Sequence, residues 1–156
     1  VAACTFAMAV VAPAMAADQA KGTIALGKAS ATIGHVVLVR GPDEMDPART
    51  VLRLYFSTDD ISAKVKACKA LSCADQAVGD GASVDYGDAS HLGYWVRLRG
   101  GLVQNSGGTD ASAFVLSTHT PDRLAGKLHV DATPMGGPTI DAEFDATLAA
   151  TFTSVR

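Results

Sequence analysis

A chain of 156 residues, 48% hydrophobic and with a formal net charge of −3, has room for one domain and enough apolar content to bury a core without a cofactor. Its 13 basic residues are scattered rather than gathered into a tract, which argues against a nucleic-acid partner, and the apolar fraction excludes a disordered chain. Among the acidic residues only Glu44 and Glu143 are Glu; the rest are Asp. Asp serves turns and caps where Glu serves helix interiors, so the composition leans toward strands joined by turns.

Residues 1–17 carry no charge and end in the small-x-small triplet Ala14-Met15-Ala16, followed by Asp18-Gln19. That is the pattern of a secretory signal peptide lacking its basic start and cleaved after Ala16 or Ala17. The segment is too short and too Ala-rich to anchor in a bilayer. Val-Ala-Ala-Cys around Cys4 resembles a lipoprotein box, but the apolar run follows this cysteine instead of preceding it. The expectation is a periplasmic or secreted protein with no membrane span in its mature chain, residues 18–156 forming one domain.

Residues 22–28 alternate, and 31–40 follow after a tight connection, the signature of a hairpin. A polar loop with two prolines covers 41–49, and Thr50–Ser57 is a strong strand. Thr58-Asp59-Asp60 offers caps for a helix over about 61–70, with Ile61, Val65 and Cys68 on one face. Residues 78–88 read as turns with a short strand at best. Strands are expected at 92–98, 112–117, 124–133 and 139–152, the last with Ile140, Ala142, Phe144, Ala146, Leu148, Ala150 and Phe152 on one face. Such one-sided burial marks antiparallel sheets. Seven or eight strands and one short helix point to a mainly β fold, an antiparallel β-sandwich.

Cys68 and Cys73 are the two cysteines of the mature chain, and an even count in an exported protein suggests a disulfide. Positions five apart diverge on a continuous helix, so a bridge needs the helix to end between them. The spacing is wrong for a Cys-x-x-Cys redox pair, and a structural zinc site would need two more ligands.

No Gly-x-Ser-x-Gly elbow, P-loop, dinucleotide fingerprint or His-Glu-x-x-His motif occurs. His35, mid-strand beside Val36-Val37-Leu38, reads as a structural histidine. His91, His119 and His129 with Asp131 could hold Cu or Zn if the fold gathered them, though exposed surface histidines are the ordinary case. Asp80, Asp85 and Asp88 could offer Ca²⁺ hard oxygens, but the EF-hand order is absent and turn-forming Asp is the default. Tyr86, Tyr94 and Trp95 would form a recognition patch if exposed together, and core packing is their commoner fate.

The segments Gly-Thr-Ile-Ala-Leu-Gly-Lys (22–28), Gly-His-Val-Val-Leu-Val (34–39), the 50–60 strand entering a helix, Ala-Gly-Lys-Leu-His-Val (125–130) and Ile-Asp-Ala-Glu-Phe-Asp-Ala-Thr-Leu (140–148) together resemble a group of uncharacterised secreted bacterial β-sandwich proteins. The resemblance implies fold and export and carries no activity. The reading at this level is an exported, non-enzymatic β-protein, with no cofactor, that binds a protein or cell-envelope partner. A small Cu- or Zn-binding protein using the surface histidines is the alternative.

Overall fold

The computed structural model describes residues 18–88 and 92–156; the expected signal segment with Cys4, and His91, lie outside the described residues. Nine strands succeed one another: β1 (Gln19–Leu26), β2 (Ala29–Pro42), β3 (Thr50–Ser57), β4 (Gly81–Tyr86), β5 (Leu92–Leu98), β6 (Val103–Thr109), β7 (Phe114–Thr120), β8 (Arg123–Asp131) and β9 (Thr139–Thr151). Two short helices, α1 (Ser62–Ala67) and α2 (Leu71–Ala77), lie between β3 and β4. The fold is mainly β, as composition and alternation indicate. Among the described residues the strands number nine rather than seven or eight, and the single expected helix is two.

All nine strands form one hydrogen-bonded sheet, in the order β6-β5-β4-β3-β2-β1-β9-β8-β7. In place of the two stacked sheets expected of a sandwich, one sheet curls on itself into a half-barrel. The cause lies in the unequal strand lengths. β1 sits between β2 and β9 only as far as Gln19, which pairs with both His35 and Asp145. Beyond it Leu38–Arg40 of β2 pair directly, and in parallel, with Leu148–Thr151 of β9. These two long strands pass through both halves of the sheet and leave no break between layers.

The concave face is the main core. Leu54, Phe56, Leu124 and Ile140 are fully buried there, and the Phe144 ring meets Phe56 and Phe114 edge to face at 5.6 and 6.3 Å. On the convex side the two helices cover β2 and β3, where Val37, Val39 and Tyr55 pack against Ile61, Val65, Leu71, Ala74 and Val78. The alternation of β9 holds from Ile140 to Leu148. The register then shifts between Leu38 and Val39 of the partner strand, and Ala149, Ala150 and Phe152 join the convex cluster instead of the inner face. An irregularity that inserts one residue reverses the faces beyond it.

Cys68 and Cys73 are joined by a disulfide. Cys68 closes α1 and Cys73 lies in α2, so the helix does end between them and the bridge ties two helices together. The N-cap position of α1 falls on Ile61, which makes no side-chain cap, while Asp60 just before it accepts the Ser62 amide at 2.9 Å. Among the described residues no helix is long and apolar enough to cross a membrane.

Candidate functional site

The residue that organises the convex face is Arg53, in the middle of β3. Alternation turns it outward between the inward Leu52 and Leu54, and strand pairing sets it opposite Asp85 of β4. Its side chain is only 8% exposed. Nε and Nη2 donate to the two Asp85 carboxylate oxygens at 2.7 and 3.2 Å. Nη1 donates to Asp75 of α2 at 2.9 Å and to Glu44, in the β2–β3 loop, at 3.0 Å. The Tyr55 hydroxyl donates to the same Asp75 at 2.7 Å. Strand, helix and loop therefore meet at one guanidinium.

Among the described residues three carboxylates share this single cation, leaving a formal excess of two negative charges. Burial works against the charge on Arg53, yet the hydrogen bond and charge of Asp85, with the charge of Asp75, outweigh it and hold its pKa above the ordinary arginine value. Burial also pushes Asp85 above the usual carboxylate range; Arg53 pulls it back in part, while Glu44 and Asp75 add to the rise. Tyr55 is raised by burial first and by Asp75 second. Burial is the largest cause at both Asp85 and Tyr55, and neighbouring carboxylates add to it.

Beside this centre runs a groove of about 620 Å³. Glu44, Asp75 and Asp85 stand on one side, Trp95 and Ser106 on the other, and Met45, 80% exposed, at the lip. Trp95 is half-buried on β5, with the Arg97 guanidinium carbon 5.7 Å from its ring centre on the side away from Asp85.

The three aromatic residues singled out in the sequence part company here. Trp95 faces the groove. Tyr94 is buried on the inner face, its hydroxyl donating to Asn105 at 3.1 Å. Tyr86 packs inward against Phe114 and His119, at 5.1 and 5.2 Å between ring centres. Neighbours in a strand point to opposite faces, so an adjacent Tyr-Trp pair does not make one patch.

The described members of the metal-ligand set, His119, His129 and Asp131, are likewise not gathered. His119 lies opposite Leu124, on the inner row, while His129 is five residues further along β8 on the outer row, about 16 Å away. His129 bonds Asp141 across the strands at 2.5 Å, which raises its pKa through that hydrogen bond and charge, and Asp131 accepts from Thr133. Among the described residues no group of three or more His, Cys, Asp or Glu is arranged to hold a metal ion. The Asp trio is dispersed too: Asp80 accepts the Gly100 amide, Asp85 grips Arg53, and Asp88 lines a different depression with His119. His35 is half-buried in β2 opposite Ser57.

Sequence reasoning missed Arg53, Asp75 and Glu44. One signal was available: an arginine between leucines in a strong strand, and an aspartate between Val84 and Tyr86, both mark outward positions that need partners. Which strands pair was not visible, so neither was the contact. No protein-family model, no curated protein and no solved structure matches this chain.

Proposed function

We propose that this is an exported, non-catalytic binding protein that holds a partner through a cationic group seated in the Arg53–Trp95 groove. The observation that carries the reading is the charge imbalance: three carboxylates on one guanidinium, beside a half-buried indole. A lysine or arginine side chain entering the groove would supply the missing positive charge and lie against the aromatic face, where such contacts contribute about 0.5–2 kcal/mol. Export is supported by the charge-free apolar start of the sequence and by the Cys68–Cys73 disulfide, a bond that persists in oxidising compartments.

Trp95 is the only tryptophan, so its fluorescence reports on the groove alone. Lysine-bearing peptides are expected to change that fluorescence saturably, and less so as salt rises. Glutamate-bearing counterparts should leave it unchanged, and Asp85→Asn should weaken the lysine response several-fold. Equal responses to both charge types, or none to either, would overturn the reading.

A further inference from the structure

We infer that the partner docks as an extended strand added to the free edge of β6, and that its cationic side chain reaches Asp85 along a lane paved by two glycines; this rests on the groove reading above. β6 is a terminal strand of the sheet. Its seven residues pair with β5 in unbroken register, none of them is buried, and the run Val-Gln-Asn-Ser-Gly-Gly-Thr contains no charge and no proline. Exposed edges are ordinarily blunted by lysine, proline or a bulge. The opposite edge, β7, has such a device: its register with β8 shifts between Leu116 and Thr118. β6 has none, and an unpaired row of backbone donors and acceptors is satisfied by an extended polypeptide.

The side-chain rows of the convex face show what that polypeptide should carry. Trp95 lies between Ser83 of β4 and Ser106 of β6. Continuing the same register sets Asp85 beside Gly93, and Gly93 pairs with Gly108 at the edge. An Asp85 carboxylate oxygen sits 3.7 Å from where a Cβ on Gly93 would be, so it overhangs the glycine. Among the described residues the register sets only these two glycines between the sheet edge and Asp85. A residue paired opposite Gly108 would stand two strand spacings, about 10 Å, from Gly93. A lysine or arginine spans most of that distance and meets the under-compensated carboxylate, with Trp95 as one wall. Charge complementarity therefore selects a cation at this position, and Arg97, beyond Trp95, disfavours one in the next row.

The test uses an alternating Thr/Val peptide with one central lysine, the same peptide with glutamate, and the lysine peptide N-methylated at alternate residues, which keeps the cation and removes the strand edge. Trp95 fluorescence gives affinity, and hydrogen exchange of the β6 amides reports pairing. The expected result is binding of the lysine peptide at least tenfold tighter than either control, with new protection confined to β6. Gly108→Leu should abolish the preference for lysine over glutamate; a Cβ there meets nothing closer than 3.9 Å, so the variant should fold. Equal binding of the N-methylated peptide would overturn strand addition and leave the groove reading standing. Failure of every peptide to move Trp95 would overturn both. Sedimentation of the protein alone should give a monomer; a dimer abolished by Gly108→Leu would assign the edge to a second copy and overturn a foreign partner.

Discussion

Arg53 and Asp85 face each other across β3 and β4 and exchange two hydrogen bonds, at 2.7 and 3.2 Å, on a side of the sheet where their neighbours are Tyr55 and Ser83. The pair joins the central strands to α2 and the β2–β3 loop through Asp75 and Glu44. Removing the cation would leave three carboxylates facing one another. Arg53→Leu is therefore expected to cost about 3–5 kcal/mol, the range for breaking a buried ion pair on one side. Urea unfolding checks this. The loss should be smaller at acid pH, where the abandoned carboxylates can take up protons. Arg53→Lys should recover only part of the stability, since an ammonium cannot reproduce the fork of donors.

Asp85→Asn tests the electrostatics separately. The folded-state pKa of Asp85 is raised, by burial first, above its unfolded value. Between the ordinary carboxylate value, about 4, and the higher folded value the native state therefore holds more protons than the unfolded chain. Linkage then makes this group's contribution fall as pH rises through that window, opposite to the usual carboxylate. Asparagine abolishes the titration. The variant's stability profile should lack that downward contribution, read as a difference in slope between the two proteins just above pH 4. Identical slopes would mean that Arg53 fully compensates Asp85.

Fold class was legible because alternation survives wherever one strand face meets the inner core: Ile140, Ala142, Phe144 and Ala146 occupy the positions their period requires. β4 was harder to recognise because it is short and follows a Gly-Asp-Gly turn, and its outward Asp85 finds its partner only through the pairing with Arg53. β6 left no apolar pattern at all, since an edge strand with one exposed face needs none. The second helix was hidden by the Cys68–Cys73 break. The single sheet was illegible for a different reason: it depends on where β1 stops relative to β2 and β9, a long-range register that no local pattern encodes. The groove inherits the same limit, because Glu44, Asp75 and Asp85 converge from three separate segments.

The disulfide should be a local brace. It closes a short loop, and the chain-entropy account gives about 2 kcal/mol for its removal. The inner core is built from strands that the bridge does not touch, so reduction should lower the unfolding midpoint while leaving the far-UV spectrum of the sheet intact. Asp75 lies two residues beyond Cys73, so the reduced protein should also bind the lysine peptide less tightly. Loss of the sheet on reduction would show that α1 and α2 stabilise far more of the fold than their convex cluster suggests.

Phe144 holds the curl itself. Its ring lies on β9 and meets Phe56 of β3 and Phe114 of β7, strands that share no hydrogen bonds with each other. Backbone pairing fixes each strand only to its neighbours; face-to-face contacts such as these keep the two ends of the sheet folded over one core. Phe144 is 5% exposed, and Phe144→Ala should cost about 3–5 kcal/mol through lost burial and the cavity left behind. Val115→Ala, at a site 71% exposed on β7, is the control and should change stability by about 0.5 kcal/mol or less. Under conditions where the Phe144 variant remains folded, its affinity for the lysine peptide should match the parent, because Trp95 and Asp85 lie on the opposite face. A folded Phe144→Ala protein with weakened peptide binding would show that the curl and the convex groove are mechanically coupled.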